Sequence, residues 1–365
     1  MSSKMVFFEE MNKLTEQGYL RKVISECGDL VLYNYTDKTT YERYWNNLTL
    51  NARGTVYSLK EGITIARAFP KFFNFEELEL PIRNNILSQK NFEVFEKFDG
   101  SLGVMYNYNG KWRVNTRGSF SSEQAIKATE MLSKYNLDNI NPRLSLLVEI
   151  IYPENRIIVD YGDNEELVLL AAMSKSGIEN SHDSLISIGE LSGLRVATKY
   201  KYKSIEDLIL KQQELGKFEE GFVVRFNDGF RCKFKSKEYL KLAKIMSNMT
   251  PLNFWANMSK GSVNKHFLID IPEEFKKDVD FITEKLENVY KTVYNEINDD
   301  FNYAIKSIGG LSDDLDIDRR SLGMWLKDNK KEIKHHGSMF SKLLKLDESL
   351  EGYIMKTIKP TGNIL

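Results

Sequence analysis

Cysteine, proline, histidine and any surplus of one charge are scarce in this 365-residue sequence, and each shortage closes off a class of protein. Cys27 and Cys232 are the only cysteines, too few and too far apart for a disulfide framework or a zinc site, so a reducing, cytoplasmic setting is expected. His182, His266, His335 and His336 show no metal-binding spacing with acidic or cysteine partners. The pair His335-His336 sits in a lysine-rich run that reads as a solvated helix face. The 51 lysines and arginines are matched by 52 acids, so a nucleic-acid partner would have to be held by a local basic patch. No apolar run approaches a membrane span, and the start of the chain lacks the charged-then-apolar layout of a signal peptide, so no membrane partner is expected. Neither an internal repeat nor a low-complexity segment is present. What remains, 42% hydrophobic and 28% charged residues with only seven prolines, is the composition of a soluble globular protein long enough for two domains.

Met5, Phe8, Met11 and Leu14 repeat at helical spacing, which predicts an opening amphipathic helix over residues 4–17. Strands are predicted at Leu30–Tyr35 and at residues 54–59 and 63–68, each rich in β-branched and aromatic side chains and bounded by turn residues. Arg53-Gly54 opens the second of these strands. Phe69-Pro70-Lys71-Phe72-Phe73-Asn74 closes the third, with a lysine among aromatics, a setting in which lysine ordinarily lays its stem over apolar surface.

The sharpest signal is Glu96-Lys97-Phe98-Asp99-Gly100-Ser101-Leu102. Apolar Phe92, Val94 and Phe95 lead into an Asp-Gly turn, so Lys97 should be fixed at a rim rather than carried on a loose loop. Asn109-Gly110 then joins residues 102–108 to Lys111–Thr116 in a hairpin. Pairing outward sets Tyr108 against Lys111 and Leu102 against Arg117, which brings Arg117 near the Asp99-Gly100-Ser101 turn. Ser121 and Gln124 read as a capping box for a helix to about Tyr135. Residues 144–151 are apolar except for Glu149; an unpaired carboxylate is costly in a buried strand, so Glu149 must have a partner or face a cleft. A turn at residues 152–155 leads into residues 156–161. Another buried strand at 167–173 and helices at 184–191 and 205–215 follow.

A second hairpin is predicted from Gly221–Phe226 through Asp228-Gly229 to residues 230–235. A two-residue turn matches Phe226 with Arg231, Val224 with Lys233, Phe222 with Lys235 and Glu220 with Lys237. Arg231, Lys233, Lys235 and Lys237 would then share one face, with Lys241 and Lys244 beyond, making a concentrated anion site in an otherwise neutral chain. A charged edge strand that resists aggregation has the same pattern. From about residue 246, after a boundary near 245, helical periods take over: Val279, Ile282, Leu286, Val289 and Val293, then Leu322, Met324 and Trp325. Gly309-Gly310 and the acidic residues 311–318 read as a solvated loop between helices. The expected fold class is therefore α+β over residues 1–245, antiparallel sheets with flanking helices, followed by an all-α domain over 246–365.

Arg53, Lys71, Lys97, Arg117, Glu149, Glu220, Lys233 and Lys235 fall in an order that resembles the motif series of the covalent nucleotidyltransferases, the superfamily of ATP-dependent ligases and mRNA capping enzymes. More closely, the chain resembles the ATP-dependent RNA ligases of the phage tRNA-repair type. The likeness is carried by Leu32-Tyr33-Asn34-Tyr35, Ala52-Arg53-Gly54, Pro70-Lys71-Phe72-Phe73-Asn74, Lys97-Phe98-Asp99-Gly100-Ser101-Leu102, Arg117-Gly118-Ser119, Glu149 with Asn155-Arg156-Ile157, Glu220-Gly221 and Lys233-Phe234-Lys235-Ser236.

That resemblance implies a nucleotidyltransferase fold and a site. Lys97 would attack the α-phosphorus of ATP to give a lysyl-adenylate. Arg53 and Lys71 would orient the triphosphate, Tyr33 would lie in the nucleotide pocket, and Lys233 and Lys235 would favour the neutral amine and stabilise phosphoryl charge. Glu149 would contact the ribose hydroxyls or a metal-bound water, and Glu220 would position metal or lysine; Asp99 and Gly100 would support the turn. Arg117 stands where the family commonly has lysine. Mg²⁺, or Mn²⁺, would be held through ATP phosphates and water, with Glu149 or Glu220 as the candidate carboxylates. The implied partners are RNA 5′-phosphate and 3′-hydroxyl ends, nicked tRNA among them, with the helical tail adjusting the RNA choice. A DNA ligase or capping guanylyltransferase would share the lysine chemistry but normally follows it with a β-barrel; a non-catalytic RNA-binding relative would keep only the basic face.

Overall fold

The computed structural model describes residues 3–264 and 276–361, so His266 lies outside the described residues. The chain divides into two compact units, Met1–Leu242 and Ala243–Leu365. The first unit opens with helix α1 (Ser3–Glu16) and a four-stranded antiparallel sheet, β1 (Leu20–Ile24), β2 (Leu30–Tyr35), β3 (Arg53–Ser58) and β4 (Thr64–Ala66). Between β2 and β3 lie two single-turn helices, α2 (Asp37–Tyr41) and α3 (Asn47–Asn51). Strand β1 has no sequence expectation behind it: Leu20 is its only buried residue, so no alternation marks it.

The next strands are β5 (Phe73–Asn74), β6 (Phe92–Glu96), β7 (Ser101–Tyr108), β8 (Lys111–Thr116), β9 (Ser145–Ile151), β10 (Glu166–Met173), β11 (Arg195–Val196), β12 (Lys199–Tyr200), β13 (Gly221–Phe226) and β14 (Arg231–Lys235). They form two five-stranded sheets, one ordered β11-β10-β9-β7-β8 and the other β12-β6-β13-β14-β5. Helices α4 (Leu80–Ser88), α5 (Glu123–Met131), α6 (His182–Ser192) and α7 (Ile205–Glu214) flank them, and α8 (Lys237–Asn248) follows β14. Ser122, not Ser121, caps α5, its side chain accepting from the Ala125 amide, and residues 156–161 form a loop.

Period-two alternation decides what each sheet faces. In β9, Leu146, Val148 and Ile150 join the core under α5 and α6, whereas Leu147 packs with Leu32, Val56 and Ala66 of the first sheet. Glu149 shares the parity of Leu147. In the other sheet Val94, Phe222, Val224, Cys232 and Phe234 pack with Ile86 of α4 and Leu208 of α7. Phe95, Val223 and Lys233 therefore take the opposite face, in one row: Val223 pairs with both Phe95 and Lys233.

That pairing corrects the predicted register. Gly221 lies opposite Lys235, Val223 opposite Lys233 and Arg225 opposite Arg231, one residue away from the two-residue-turn expectation. The loop is three residues long: the Phe226 amide bonds to the Phe230 carbonyl, and Gly229 turns the chain at φ +82°. Arg231, Lys233 and Lys235 still share a face, but Lys237 and Lys241 lie on helix α8, exposed, with Lys241 paired to Glu238.

The second unit contains α9 (Pro251–Ala256), α10 (Lys276–Ser307), α11 (Leu315–Asn329), α12 (Met339–Leu343) and α13 (Asp347–Thr357). It is not purely helical, because β15 (Met258–Ser259) and β16 (Ser262–Val263) form a small hairpin. His335 is also not on a solvated face: it is 3% exposed, with Nε2 2.9 Å from Glu296 and its amide bonded to Asp300. In the acidic stretch, Asp318 is buried and accepts from the Ser312 amide and hydroxyl, so that side chain serves the turn into α11.

Candidate functional site

Lys97 follows β6 directly, and its amide continues the ladder by bonding to the Gly221 carbonyl at 3.0 Å. The Asp-Gly turn behind it is locked from both sides. One Asp99 oxygen accepts the Ile158 and Val159 amides at 2.8 Å each, the other accepts the Tyr239 hydroxyl at 2.6 Å, and the Asp99 amide donates to the Tyr161 hydroxyl. Gly100 passes so close to β9 that a Cβ there would lie 2.6 Å from the Ile150 carbonyl oxygen. Asp99 and Gly100 thus fix the backbone that carries the lysine, and Asp99 does not face the cavity.

Beside Lys97 is a cavity of about 190 Å³ between the two five-stranded sheets. Phe95, Lys97, Val223 and Lys233 line one wall, Gly100, Leu102, Glu149 and Leu170 the other, and Arg53, Phe69 and Phe72 close an end. The Lys97 amine donates to Glu220 Oε2 at 2.7 Å, and Lys235 holds the other oxygen of that 4%-exposed carboxylate at 2.8 Å. Burial pulls the Lys97 amine toward neutrality, but Glu220 and then Glu149 outweigh it and hold its pKa above the usual lysine range. Lys235 is committed to Glu220, and in this arrangement the Lys97 amine is an ion-paired ammonium.

Glu149 accepts the Gly100 amide at 3.1 Å; burial pushes its pKa up to about 7 against the pull of Lys97. Lys233 moves the other way. Burial first, then repulsion from Lys97, Arg53, Lys71 and Lys235, lowers it to about 7. Arg53 places Nε and Nη1 in buried positions with no hydrogen-bond partner, and its guanidinium and Lys233 both lie over the Phe72 ring, at 5.7 and 5.0 Å. Buried donors are rarely left unmatched, so this end of the cavity is shaped for an anion. Lys71, 5.1 Å from the Phe73 ring centroid, and Arg117, bonded to the Tyr35 hydroxyl at 3.3 Å, extend the row of cations outward.

One expected residue falls elsewhere, and one cation of the expected face is already paired. Tyr33 is 1% exposed in the core beneath α1, with Met11, Leu14 and Tyr57, because strand alternation sends Leu32 toward the body of the unit and Tyr33 away from it. Arg231 lines the cavity, yet its charge is taken by Glu179. Sequence reasoning missed Phe72, Phe95 and Tyr239. Phe72 had a signal in its position between Lys71 and Phe73; Tyr239 had none, since it meets Asp99 from 140 residues away.

Among the described residues no group of three His, Cys, Asp or Glu side chains is placed to hold a metal ion, and no helix is long and apolar enough to cross a membrane. The family profile described as RNA ligase matches residues 51–239. A baculovirus protein from Autographa californica nuclear polyhedrosis virus, named as a bifunctional polynucleotide kinase/RNA ligase, is 28% identical over 60% of this chain; the chain spans only 34% of that protein's length. A Thermovibrio ammonificans protein named as an RNA ligase is 26% identical, over 80% of this chain and 72% of its own length. The structure of an archaeal ATP-dependent RNA ligase superposes with a TM-score of 0.50, at 14% identity, covering 88% of this chain and 86% of that one, a likeness of fold. With the profile match taking in more than half of the sequence and every cation of the site, the chain belongs to the RNA ligase family.

Proposed function

We propose that the protein is an ATP-dependent RNA ligase that joins 5′-phosphate to 3′-hydroxyl RNA ends. One observation carries the reading: a part-buried amine lines the same cavity as Lys233 and the unmatched Nε and Nη1 of Arg53, so a nucleophile and a phosphate cradle share one pocket. In the first step the Lys97 amine bonds to the α-phosphorus of ATP, and the bond to pyrophosphate breaks. The amine must first shed a proton, and Glu220, at 2.7 Å, is the nearest carboxylate to take it. Arg53 and Lys233 in the cavity, with Lys71 beyond them, hold the leaving phosphates, and Phe95 and Val223 wall the nucleotide.

In the second step an oxygen of the RNA 5′-phosphate attacks the adenylate phosphorus, and the P–N bond to Lys97 breaks. In the third, the 3′-hydroxyl attacks the activated 5′-phosphorus, AMP leaves, and the strand is sealed. The donor set fits a hard cation held mainly by phosphate oxygens and water. Glu220 is occupied by two lysines, which leaves Glu149 as the carboxylate able to contribute. Mg²⁺ bound there would neutralise phosphoryl charge. Nicked tRNA is one substrate of the right chemistry, and the helical second unit is the part that would select among RNAs.

A capping or DNA-joining role is less favoured, because the strands described after Lys235 are just the two-residue pair β15 and β16. The test is to offer ATP or GTP with Mg²⁺, and 5′-phosphorylated single-stranded RNA, single-stranded DNA or nicked duplex DNA. Sealing of RNA with ATP, absent in Lys97→Ala, is expected. A preference for GTP or for nicked DNA would refute the choice.

A further inference from the structure

Outside the cavity the row of cations continues into a set of aromatic rings that the reaction at Lys97 does not use. Lys71 sits 5.7, 5.9 and 5.1 Å from the centroids of Tyr35, Trp45 and Phe73, and the rings touch one another edge to face, Tyr35 to Trp45 at 5.1 Å and Trp45 to Phe73 at 5.4 Å. Arg117 also lies over the Tyr35 ring, 5.4 Å from its centroid. The exposed guanidinium of Arg21 lies against Gly118, next in the chain. None of Arg21, Lys71 and Arg117 has a carboxylate in salt-bridge range among the described residues.

The rings are held rigidly. Asn46, directly after Trp45, caps α3 through a full capping box with Thr49, whose hydroxyl also bonds to the Tyr44 carbonyl. The Lys71 amide is tied to the Leu50 carbonyl at 2.8 Å. Tyr35, Trp45 and Phe73 are each only partly buried, so fixed aromatic surface is offered to solvent among uncompensated cations. Planar aromatics interleaved with cations are what a single nucleic-acid strand recognises.

The direction of the chemistry says which strand. Displacement at phosphorus runs in line, so pyrophosphate departs from the side opposite Lys97. When Lys97 becomes the leaving group, the incoming 5′-phosphate must enter from that same side, the side of Arg53 and Lys71.

Resting on the ligase reading above, we propose that Tyr35, Trp45 and Phe73, flanked by Arg117 and Arg21, form the docking platform for the first nucleotides of the 5′-phosphate RNA strand. The bases stack on Trp45 and Tyr35 while the backbone phosphates lie along Arg117 and Arg21.

The full chain with Trp45→Ala, Trp45→Phe or Arg21→Ala tests this with two separate readouts: covalent labelling by ATP and Mg²⁺, and transfer of AMP from pre-labelled protein to subsaturating 5′-phosphorylated single-stranded RNA. Trp45→Ala should label within about twofold of the natural protein but transfer about five- to a hundredfold more slowly, the effect of losing one base stack. Trp45→Phe should recover most of the transfer, and Arg21→Ala should reduce the salt dependence of RNA binding by about 0.7 in slope. Transfer by Trp45→Ala at the natural rate, equal loss of labelling and transfer, or an unchanged salt slope in Arg21→Ala would overturn the platform. Natural protein that labels itself yet transfers nothing to any RNA would instead sink the ligase reading.

Discussion

Replacing Glu149 by glutamine should make the first unit more stable at alkaline pH while abolishing its chemistry. Glu149 is 8% exposed and its pKa is raised from 4.5 to about 7, chiefly by burial. Below pH about 4.5 folded and unfolded chains both carry the proton, and the group has no effect. Between about 4.5 and 7 the folded chain keeps a proton that the unfolded chain has released, so stability falls as pH rises. Above 7 the whole penalty is present: the rise from 4.5 to about 7, at about 1.4 kcal/mol for each pH unit, comes to roughly 3.5 kcal/mol. Glutamine keeps the shape and an oxygen for the Gly100 amide but never ionises. Glu149→Gln should therefore gain roughly 3.5 kcal/mol on the natural protein between pH 4.5 and pH 8. Hydrogen exchange at the amides of β9, followed against urea, reads the first unit alone. A difference between the two proteins that stays constant with pH would show that Glu149 does not bear this cost.

The opposite shift of Lys233 has its own signature. Its pKa is near 7 without ligand, and an anion beside it restores the proton, so ATP binding at pH 8 should take up close to one proton, and at pH 6 almost none. Calorimetry in buffers of different ionisation enthalpy measures this; Lys233→Arg should remove most of the uptake, and buffer-independent heats would contradict it. Tyr239→Phe leaves one oxygen of buried Asp99 without its 2.6 Å partner and should cost about 1–3 kcal/mol, read by chemical denaturation, with covalent labelling slowed because the turn carrying Lys97 loosens. Unchanged stability and labelling would mean that the Asp99 clamp does not need that bond.

Much of the site was legible because strand alternation is local. Glu149 stood out as one carboxylate in an apolar run, and the structure gives it the Gly100 amide and a cavity to face. Arg231, Lys233 and Lys235 were placed on one face correctly, even though the predicted register slipped by one residue when Asn227 was left out of the turn. What could not be read were partners distant in sequence. Glu220 reaches Lys97 across 123 residues and Tyr239 reaches Asp99 across 140, distances at which no spacing rule applies. For the same reason the ion pair at Lys97 could not be read as such: the sequence counts cations near it, but geometry puts an acid closest. Tyr33 was assigned to the pocket through the resemblance alone; its strand has buried residues on both faces, so burial did not say which face looked toward the cavity.

The most direct measurement is to incubate the full chain with ATP and Mg²⁺, digest it, and locate the covalent AMP by tandem mass spectrometry. The account predicts a single adduct on Lys97, lost in Lys97→Ala and formed with release of one pyrophosphate. An adduct on any other residue, or labelling that survives Lys97→Ala, would contradict it.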